Sequence, residues 1–151
     1  EITADRAKFD LAEKMAEKHD LIVAIHNHRQ DFGKPEGILK QLEGRGPRVG
    51  AGCDIGHWMR VGVTPLDGIK LLKGKFVTLH LVDVERIGNE KGIRDVPYGT
   101  GAGNMKAVLD ELRSQGFKGY LTLEYEHQSE YLEKEVGECV TWFNKYMAMK
   151  S

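Results

Sequence analysis

Four short, almost continuously apolar segments constrain the fold of this chain more than any other feature of its sequence. Each segment ends in polar side chains, and a helical pattern or a turn separates it from the next. The segments cover residues 21–27, 49–53, 76–82 and 120–125. Strands that are apolar on both faces are typical of parallel sheets covered by helices. The sequence therefore predicts a parallel sheet in an α/β fold.

Helix signals alternate with these segments. Thr3, Thr64, Asn104 and Ser129 are predicted to cap or begin helices, and Pro35 suits the first turn of another. The expected buried faces are Ala4, Ala7, Leu11, Ala12 and Met15 in the first helix, and Leu132, Val136, Cys139, Val140, Phe143 and Met147 in the last. The order is one helix followed by four strand–helix units, with a charged, glycine-rich loop predicted over residues 85–103.

Polar residues occupy equivalent places after each predicted strand. They are His26 and His28, Asp54, His80 and Asp83, and Glu124 and Glu126. The carboxyl ends of parallel strands meet at one edge of a sheet, and a right-handed crossover takes about 30 residues. We therefore expect these side chains to surround one site.

His26 and His80 with Asp54 and Glu124 form a mixed nitrogen and oxygen donor set. Such a set suits Mn²⁺, Zn²⁺, Co²⁺ or Fe²⁺ better than Ca²⁺. A single histidine on an apolar strand is more often a structural residue, but four polar side chains at matching strand ends favour a metal site. The sequence therefore predicts a metal at this edge.

Three neighbouring residues have alternative interpretations. His57 follows Asp54 by three residues and either contacts substrate or packs beside Trp58. His28 either hydrogen-bonds to a ligand or replaces His26 as one. Alternate residues of a strand share a face, so Glu126 has the same ambiguity with Glu124.

Other motifs and the composition restrict the choice of partners. The triplet 26–28 does not by itself indicate an HNH nuclease, and the glycines of 99–103 are a weak phosphate-binding signal because no strand leads directly into them. Basic residues number 22 and acidic residues 23, so nothing predicts a nucleic-acid or membrane-surface partner. The two cysteines, Cys53 and Cys139, are expected to be reduced and buried, and the protein cytoplasmic.

Four motifs resemble one known family. Cys53-Asp54-Ile-Gly-His57, Leu79-His80-Leu-Val-Asp83, Tyr98-Gly99-Thr-Gly101 and Leu123-Glu124 are similar, in order, to the later strands of the xylose-isomerase-like TIM-barrel sugar isomerases and epimerases. The resemblance runs from about residue 20 to 145. It implies that residues 1–151 form a single α/β domain equivalent to strands five to eight of a (β/α)₈ barrel.

The resemblance also implies roles for individual residues. Asp54, His80 and Glu124 match metal ligands of the family, and His26 stands where the family has another glutamate. His57 resembles its substrate-binding histidine and Arg86 its substrate-binding arginine. The expected catalytic residues are therefore Glu124, His57 and His26. The expected substrate contacts are Arg86, His57 and His28, with His26, Asp54, His80 and Glu124 holding one divalent cation (Mn²⁺, Zn²⁺, Co²⁺ or Mg²⁺).

The implied activity is isomerisation or epimerisation of a small keto sugar or polyol, by proton transfer through an enediolate. Because His26 replaces a glutamate of the family, dehydratase or aldolase-like lyase activity is an alternative as well. A metal-binding half-barrel without catalysis is one alternative, and a zinc-dependent abasic-site endonuclease is a less favoured one. Half a barrel leaves two unpaired sheet edges, which predicts self-association or a missing N-terminal half-barrel.

Overall fold

A computed structural model describes residues 6–28, 33–87 and 92–149. The elements in chain order are α1 (Arg6–His19), β1 (Val23–Ile25), α2 (Pro35–Leu42), β2 (Val49–Asp54), α3 (Ile55–Arg60), α4 (Pro65–Leu71), β3 (Phe76–Leu81), β4 (Asp83–Ile87), β5 (Gly92–Val96), α5 (Met105–Ser114), β6 (Tyr120–Leu123) and α6 (Leu132–Ala148).

The main sheet confirms the prediction of a parallel half-barrel. Its strand order is β1-β2-β3-β6, and each pair of neighbours is parallel. Asp54 pairs with His80 in the register of β2 and β3, and His80 pairs with Thr122 in that of β3 and β6. The strands β1 and β6 form the two edges of this sheet. Four parallel strands with flanking helices correspond to half of a (β/α)₈ barrel.

The segment 85–103 differs from the prediction of a loop. It contains most of an antiparallel hairpin in which β4 pairs with β5, with Asp83 opposite Val96 and Arg86 opposite Ile93. The hairpin sequence is rich in charged residues, so apolar and polar residues alternate too weakly in it for the two strands to be identified from the sequence. The helix α3 is also absent from the sequence prediction, because its six residues directly follow β2 without an intervening turn.

The core lies between the parallel sheet and its helices. Trp58 and Ile38 are fully buried there, and Leu79 of β3 faces them from the sheet. Gly68 allows α4 to pack on Trp58, because a Cβ at this position would lie 2.5 Å from the indole ring. Pro35 occupies the first turn of α2, where a missing backbone N–H costs no hydrogen bond.

The buried faces of the first and last helices were predicted only in part, since Cys139 is buried and Phe143 packs on the core as expected. In α1 the side chain of Phe9 is buried, whereas Leu11 and Met15 are 62% and 44% exposed. In α6 Cys139 and Tyr146 are buried, whereas Val140 and Met147 are exposed. The helix α1 contacts β1, and Tyr146 of α6 donates to Asp110 of α5. The buried face of each helix is set by the elements that it meets, and the apolar periodicity alone does not identify them.

Several predicted helix starts also differ in detail. Thr64 and Asn104 precede α4 and α5, but neither side chain caps the helix, and Asn104 has a left-handed backbone with φ of 47°. The last helix begins at Leu132 rather than Ser129, whose hydroxyl donates to Glu135. Thr3 and Ala4 lie outside the described residues. In the described part of the chain, no helix is long and apolar enough to cross a membrane.

Candidate metal centre at the carboxyl end of the sheet

Three of the predicted ligands meet at the carboxyl end of the parallel sheet. Asp54 is the last residue of β2, His80 lies near the end of β3, and Glu124 directly follows β6. Each offers one ligand atom, and the three atoms lie within 4.8 Å of one another. The strand register explains the meeting, because His80 lies between Asp54 on one neighbouring strand and Thr122, two residues before Glu124, on the other.

The carboxylate of Asp54 is buried and held from one side. Its Oδ1 accepts a hydrogen bond from the backbone N–H of His57 at 2.9 Å and so caps α3. The other oxygen, Oδ2, is then available to bind a metal ion. Burial raises the pKa of this carboxyl and the nearby charge of Glu124 raises it further, against the opposing effects of His57 and Arg60. A buried carboxylate beside a second one is stabilised by a cation, so the donor set fits a divalent metal.

His80 and Glu124 are in direct contact. The Nδ1 atom of His80 hydrogen-bonds to Oε2 of Glu124, and both side chains are partly buried. An imidazole and two carboxylates can supply three ligands to Zn²⁺, Mn²⁺ or Co²⁺ and leave positions open for a substrate. The contact therefore places two donors of different chemistry side by side at the site.

The fourth predicted ligand, His26, lies beside this group rather than within it. Its ring centroid is 5.2 Å from that of His80 and 5.8 Å from that of His57. Its Nδ1 lies 2.7 Å from the carbonyl oxygen of Gly52. A carbonyl can only accept, so Nδ1 carries the proton and the neutral ring has its lone pair on Nε2.

His28 and His57 extend the histidine cluster toward solvent. Their ring centroids lie 4.8 Å apart in an edge-to-face arrangement, and His28 is exposed. Burial lowers the pKa of His57 even though the carboxylate of Asp54 acts in the opposite direction. His57 is therefore neutral at neutral pH and can share a hydrogen bond with a substrate oxygen. The structure brings both predicted substrate-contacting histidines to the rim of the site.

The two remaining sequence candidates have different positions. Glu126 is exposed; its N–H donates to Asp95, and its carboxylate lies 3.7 Å from Arg60. Among the described residues, Glu124 and not Glu126 joins the three-ligand group. Arg86 lies on β4, but its side chain is outside the described part of the chain.

Asp83 and the glycine-rich loop have a structural role that the sequence analysis missed. The carboxylate of Asp83 accepts hydrogen bonds from the backbone N–H groups of Gly99, Gly101 and Gly103. A Cβ on Gly101 would lie 2.5 Å from Oδ1 of Asp83. The amides that resembled a phosphate cradle are thus occupied by an internal anion. A buried acid followed by three alternate glycines is the signal that could have identified this loop.

Asn27, Arg60 and Asp95 also support the site, and the sequence analysis missed them. The amide of Asn27 bonds to the backbone of Asp54. Arg60 donates to the buried carboxylate of Asp95 at 2.7 Å, and this bond ties α3 to the hairpin. The sequence offered only weak signals for these roles: Asn27 lies between two histidines, and Arg60 lies three residues after His57.

Comparisons with known proteins agree with the geometry. A profile of the xylose isomerase-like TIM barrel family matches residues 6–146. No curated protein matches the chain. Among solved structures, a D-tagatose 3-epimerase-like protein superposes with a TM-score of 0.76 at 17% identity, and the match covers 95% of this chain and 53% of that one.

Two further structures extend the comparison. An uncharacterised protein from Parabacteroides distasonis has 32% identity and a TM-score of 0.60, with 93% of this chain and 55% of that one covered. A xylose isomerase-like TIM barrel protein from Mycobacterium smegmatis, solved in complex with magnesium, has 15% identity and a TM-score of 0.72, with coverage of 97% and 51%. The chain spans about half the length of these solved structures.

Proposed function

Because the chain belongs to the xylose isomerase-like TIM barrel family, we propose that it carries the metal-binding half of an isomerase or epimerase active site. The substrate class is a small keto sugar or polyol, and the reaction is proton transfer through an enediolate. The meeting of Asp54, His80 and Glu124 is the single observation that supports this proposal most strongly.

The proposed metal ligands are Asp54 through Oδ2, His80 and Glu124, with His26 as a fourth donor through Nε2. A divalent cation bound there would polarise the substrate carbonyl and stabilise the negative charge of the enediolate. Mn²⁺, Zn²⁺, Co²⁺ and Mg²⁺ are all compatible with this function. The structure of the Mycobacterium smegmatis protein with magnesium supports Mg²⁺ as one of them.

Two side chains are proposed to move the proton. Glu124 is a carboxylate at the site, and its contact with Nδ1 of His80 orients it. Where His26 does not bind the metal, its unprotonated Nε2 takes the proton instead, because its Nδ1–H is used on the carbonyl of Gly52. His57, neutral and partly buried, is proposed to hold a substrate oxygen, with His28 and Arg86 as further substrate contacts.

Two measurements test the metal and the reaction separately. We expect the purified protein to bind about one equivalent of Mn²⁺ or Co²⁺, and Asp54→Asn and His80→Ala to reduce that content strongly. Exposed His19, replaced by Ala, is the matched control and should bind as wild type does. Incubation with Mn²⁺ and a panel of ketoses in D₂O should then place deuterium at the carbon beside the carbonyl.

The outcomes separate the competing functions. Metal binding without deuterium incorporation would support the alternative of a metal-binding half-barrel without catalysis. Cleavage of an abasic oligonucleotide would support the endonuclease, which needs further metal ligands beyond the group of three found in the described residues. Metal content that is the same in wild type and in both ligand variants would refute the proposed site altogether.

A complementary half-barrel is proposed to close the sheet. No strand in the described part of the chain pairs with the outer edge of β1 or β6, and exposed apolar side chains flank both edges. Leu21 and Ile22 precede β1, and Tyr120 of β6 is 81% exposed. A second copy of the chain can supply such a half, because β6 of each copy can pair in parallel with β1 of the other. The solved structures are about twice as long as this chain, so a half-barrel preceding it in the same polypeptide is the alternative source that we propose.

Sedimentation equilibrium tests this closure. We expect a dimer, and we expect Tyr120→Lys to weaken it, because an inward or edge-facing lysine opposes strand pairing. Leu71 is exposed at the end of α4, which connects the two central strands β2 and β3. It gives the control Leu71→Lys, which should leave the dimer intact. A compact monomer that is active by itself would contradict the proposal.

A further inference from the structure

The backbone pairing of β1 with β2 ends before the metal site, and beyond it side-chain hydrogen bonds connect the two segments. Backbone pairing stops at Ile25 opposite Ala51, whereas β2 runs on to Asp54. Beyond that point His26 donates through Nδ1 to the carbonyl of Gly52 at 2.7 Å, and Asn27 bonds to Asp54. The tip of β2 therefore pairs with the backbone of β3 on one side, and on its β1 side it is held by two side chains.

The amide of Asn27 makes two hydrogen bonds to the same residue. Its Nδ2 donates to the carbonyl oxygen of Asp54 at 2.8 Å, and its Oδ1 accepts from the N–H of Asp54 at 2.6 Å. Both the donor and the acceptor of this fully buried side chain are thus satisfied by one partner. Together the two bonds fix the peptide groups on both sides of the Asp54 Cα, and so the direction in which its side chain leaves the strand.

The carboxylate of Asp54 is then restrained from its other end. Its Oδ1 accepts from the N–H of His57, so the side chain has little freedom to rotate. With the backbone held by Asn27 and Oδ1 held by α3, the carboxylate has a defined position in the group that it forms with His80 and Glu124. A ligand atom placed in advance binds a metal more tightly, because less freedom is lost on binding.

We infer that Asn27 is a positioning residue for Asp54, and that its two hydrogen bonds set the metal affinity of the site. The inference rests on the proposed metal-binding function. It also accounts for the order of residues 26–28. The two imidazoles stand on one side of the chain, with centroids 6.1 Å apart, and the amide between them points the other way into the protein.

Cobalt titration of the whole chain tests the inference. Co²⁺ gives visible absorption bands that report both affinity and coordination geometry, without any assay of activity. We expect Asn27→Ala to weaken Co²⁺ binding by about 10- to 100-fold and to alter the bands, as the loss of an outer-shell partner typically does. Asn27→Ser, which can replace only one of the two hydrogen bonds, should fall between Asn27→Ala and wild type.

Two controls separate positioning from general loss of stability. Leu112→Ala removes a buried side chain of α5 and should lower the melting temperature without changing Co²⁺ affinity. Asn144→Ala changes an exposed asparagine of α6 and should change neither.

The possible results are distinct. Wild type that binds no Co²⁺ would refute the proposed function itself. Wild type that binds, with Asn27→Ala within about twofold of it and the same spectrum, would overturn the inference alone. If Asn27→Ala does not fold, Asn27→Ser decides, and wild-type affinity in that folded variant overturns the inference as well.

Discussion

Asp83 gives the sharpest test of how the structure is held together next to the site. Its Oδ1 accepts from the N–H groups of Val84 at 3.1 Å and Gly103 at 2.8 Å, and its Oδ2 from those of Gly99 at 2.8 Å and Gly101 at 3.1 Å. Asp83→Asn preserves the shape but replaces one of these oxygens by an NH₂ group. Two backbone donors then face another donor in a buried environment.

The expected cost follows from the hydrogen bonds that are lost. Two hydrogen bonds to a charged group contribute about 1.5–3 kcal/mol each, so Asp83→Asn should lower the free energy of unfolding by about 3–6 kcal/mol. A chain of this size loses roughly 2–4 °C of melting temperature per kcal/mol. Thermal and urea unfolding followed by circular dichroism measure both quantities.

Asp67 provides the matched control for this substitution. It is exposed in the first turn of α4, so Asp67→Asn should cost only about 0.3–1 kcal/mol through the helix dipole. Equal destabilisation by Asp83→Asn and Asp67→Asn would refute the reasoning, because it would mean that the hydrogen bonds of the four backbone amides to Asp83 add nothing to the stability.

Three further predictions concern the sheet, the hairpin and the cysteines. Gly52→Ala should lower the free energy of unfolding by about 1–3 kcal/mol, because its Cβ would lie 2.6 Å from the Cβ of Ala24. Gly137→Ala in α6, which has open space around it, should instead raise that free energy by about 0.5–1 kcal/mol in the same urea titrations. Asp95→Ala should lower the free energy of unfolding by about 1–3 kcal/mol, and by much less when Arg60 has already been replaced by Met, because the two side chains are bonded to each other. A double-mutant cycle measures this coupling, and additive effects of the two substitutions would contradict it. Burial raises the pKa of both cysteine thiols, so little thiolate exists at pH 8 and iodoacetamide should modify the protein only after unfolding, as mass spectrometry would show.

The parallel sheet could be predicted from local patterns of the sequence, and the resemblance to a known family implied that it is half of a barrel. Continuous apolar strands alternating with helical segments require a covered parallel sheet, and the carboxyl ends of such strands share one edge. The positions of Asp54, His80 and Glu124 along the chain therefore predicted that they would lie close together. The buried faces of α1 and α6 were predicted only in part: Cys139 is buried as expected, whereas Leu11 and Val140 are exposed. Which apolar stripe is covered depends on the elements that pack on the helix, and local periodicity does not identify them.

Hydrogen-bond partners were decided only by the tertiary structure. Asp83 and Asp54 are both buried acids near strand ends, yet one accepts bonds from a glycine-rich loop and the other faces the candidate metal site. The place of Asn27 between two histidines does not reveal which backbone it bonds to, yet it holds the tip of β2. Apolar periodicity is a property of a few consecutive residues and can be read from them. The partner of a buried polar group comes from a distant part of the chain, and it is known only once the strands and helices have packed.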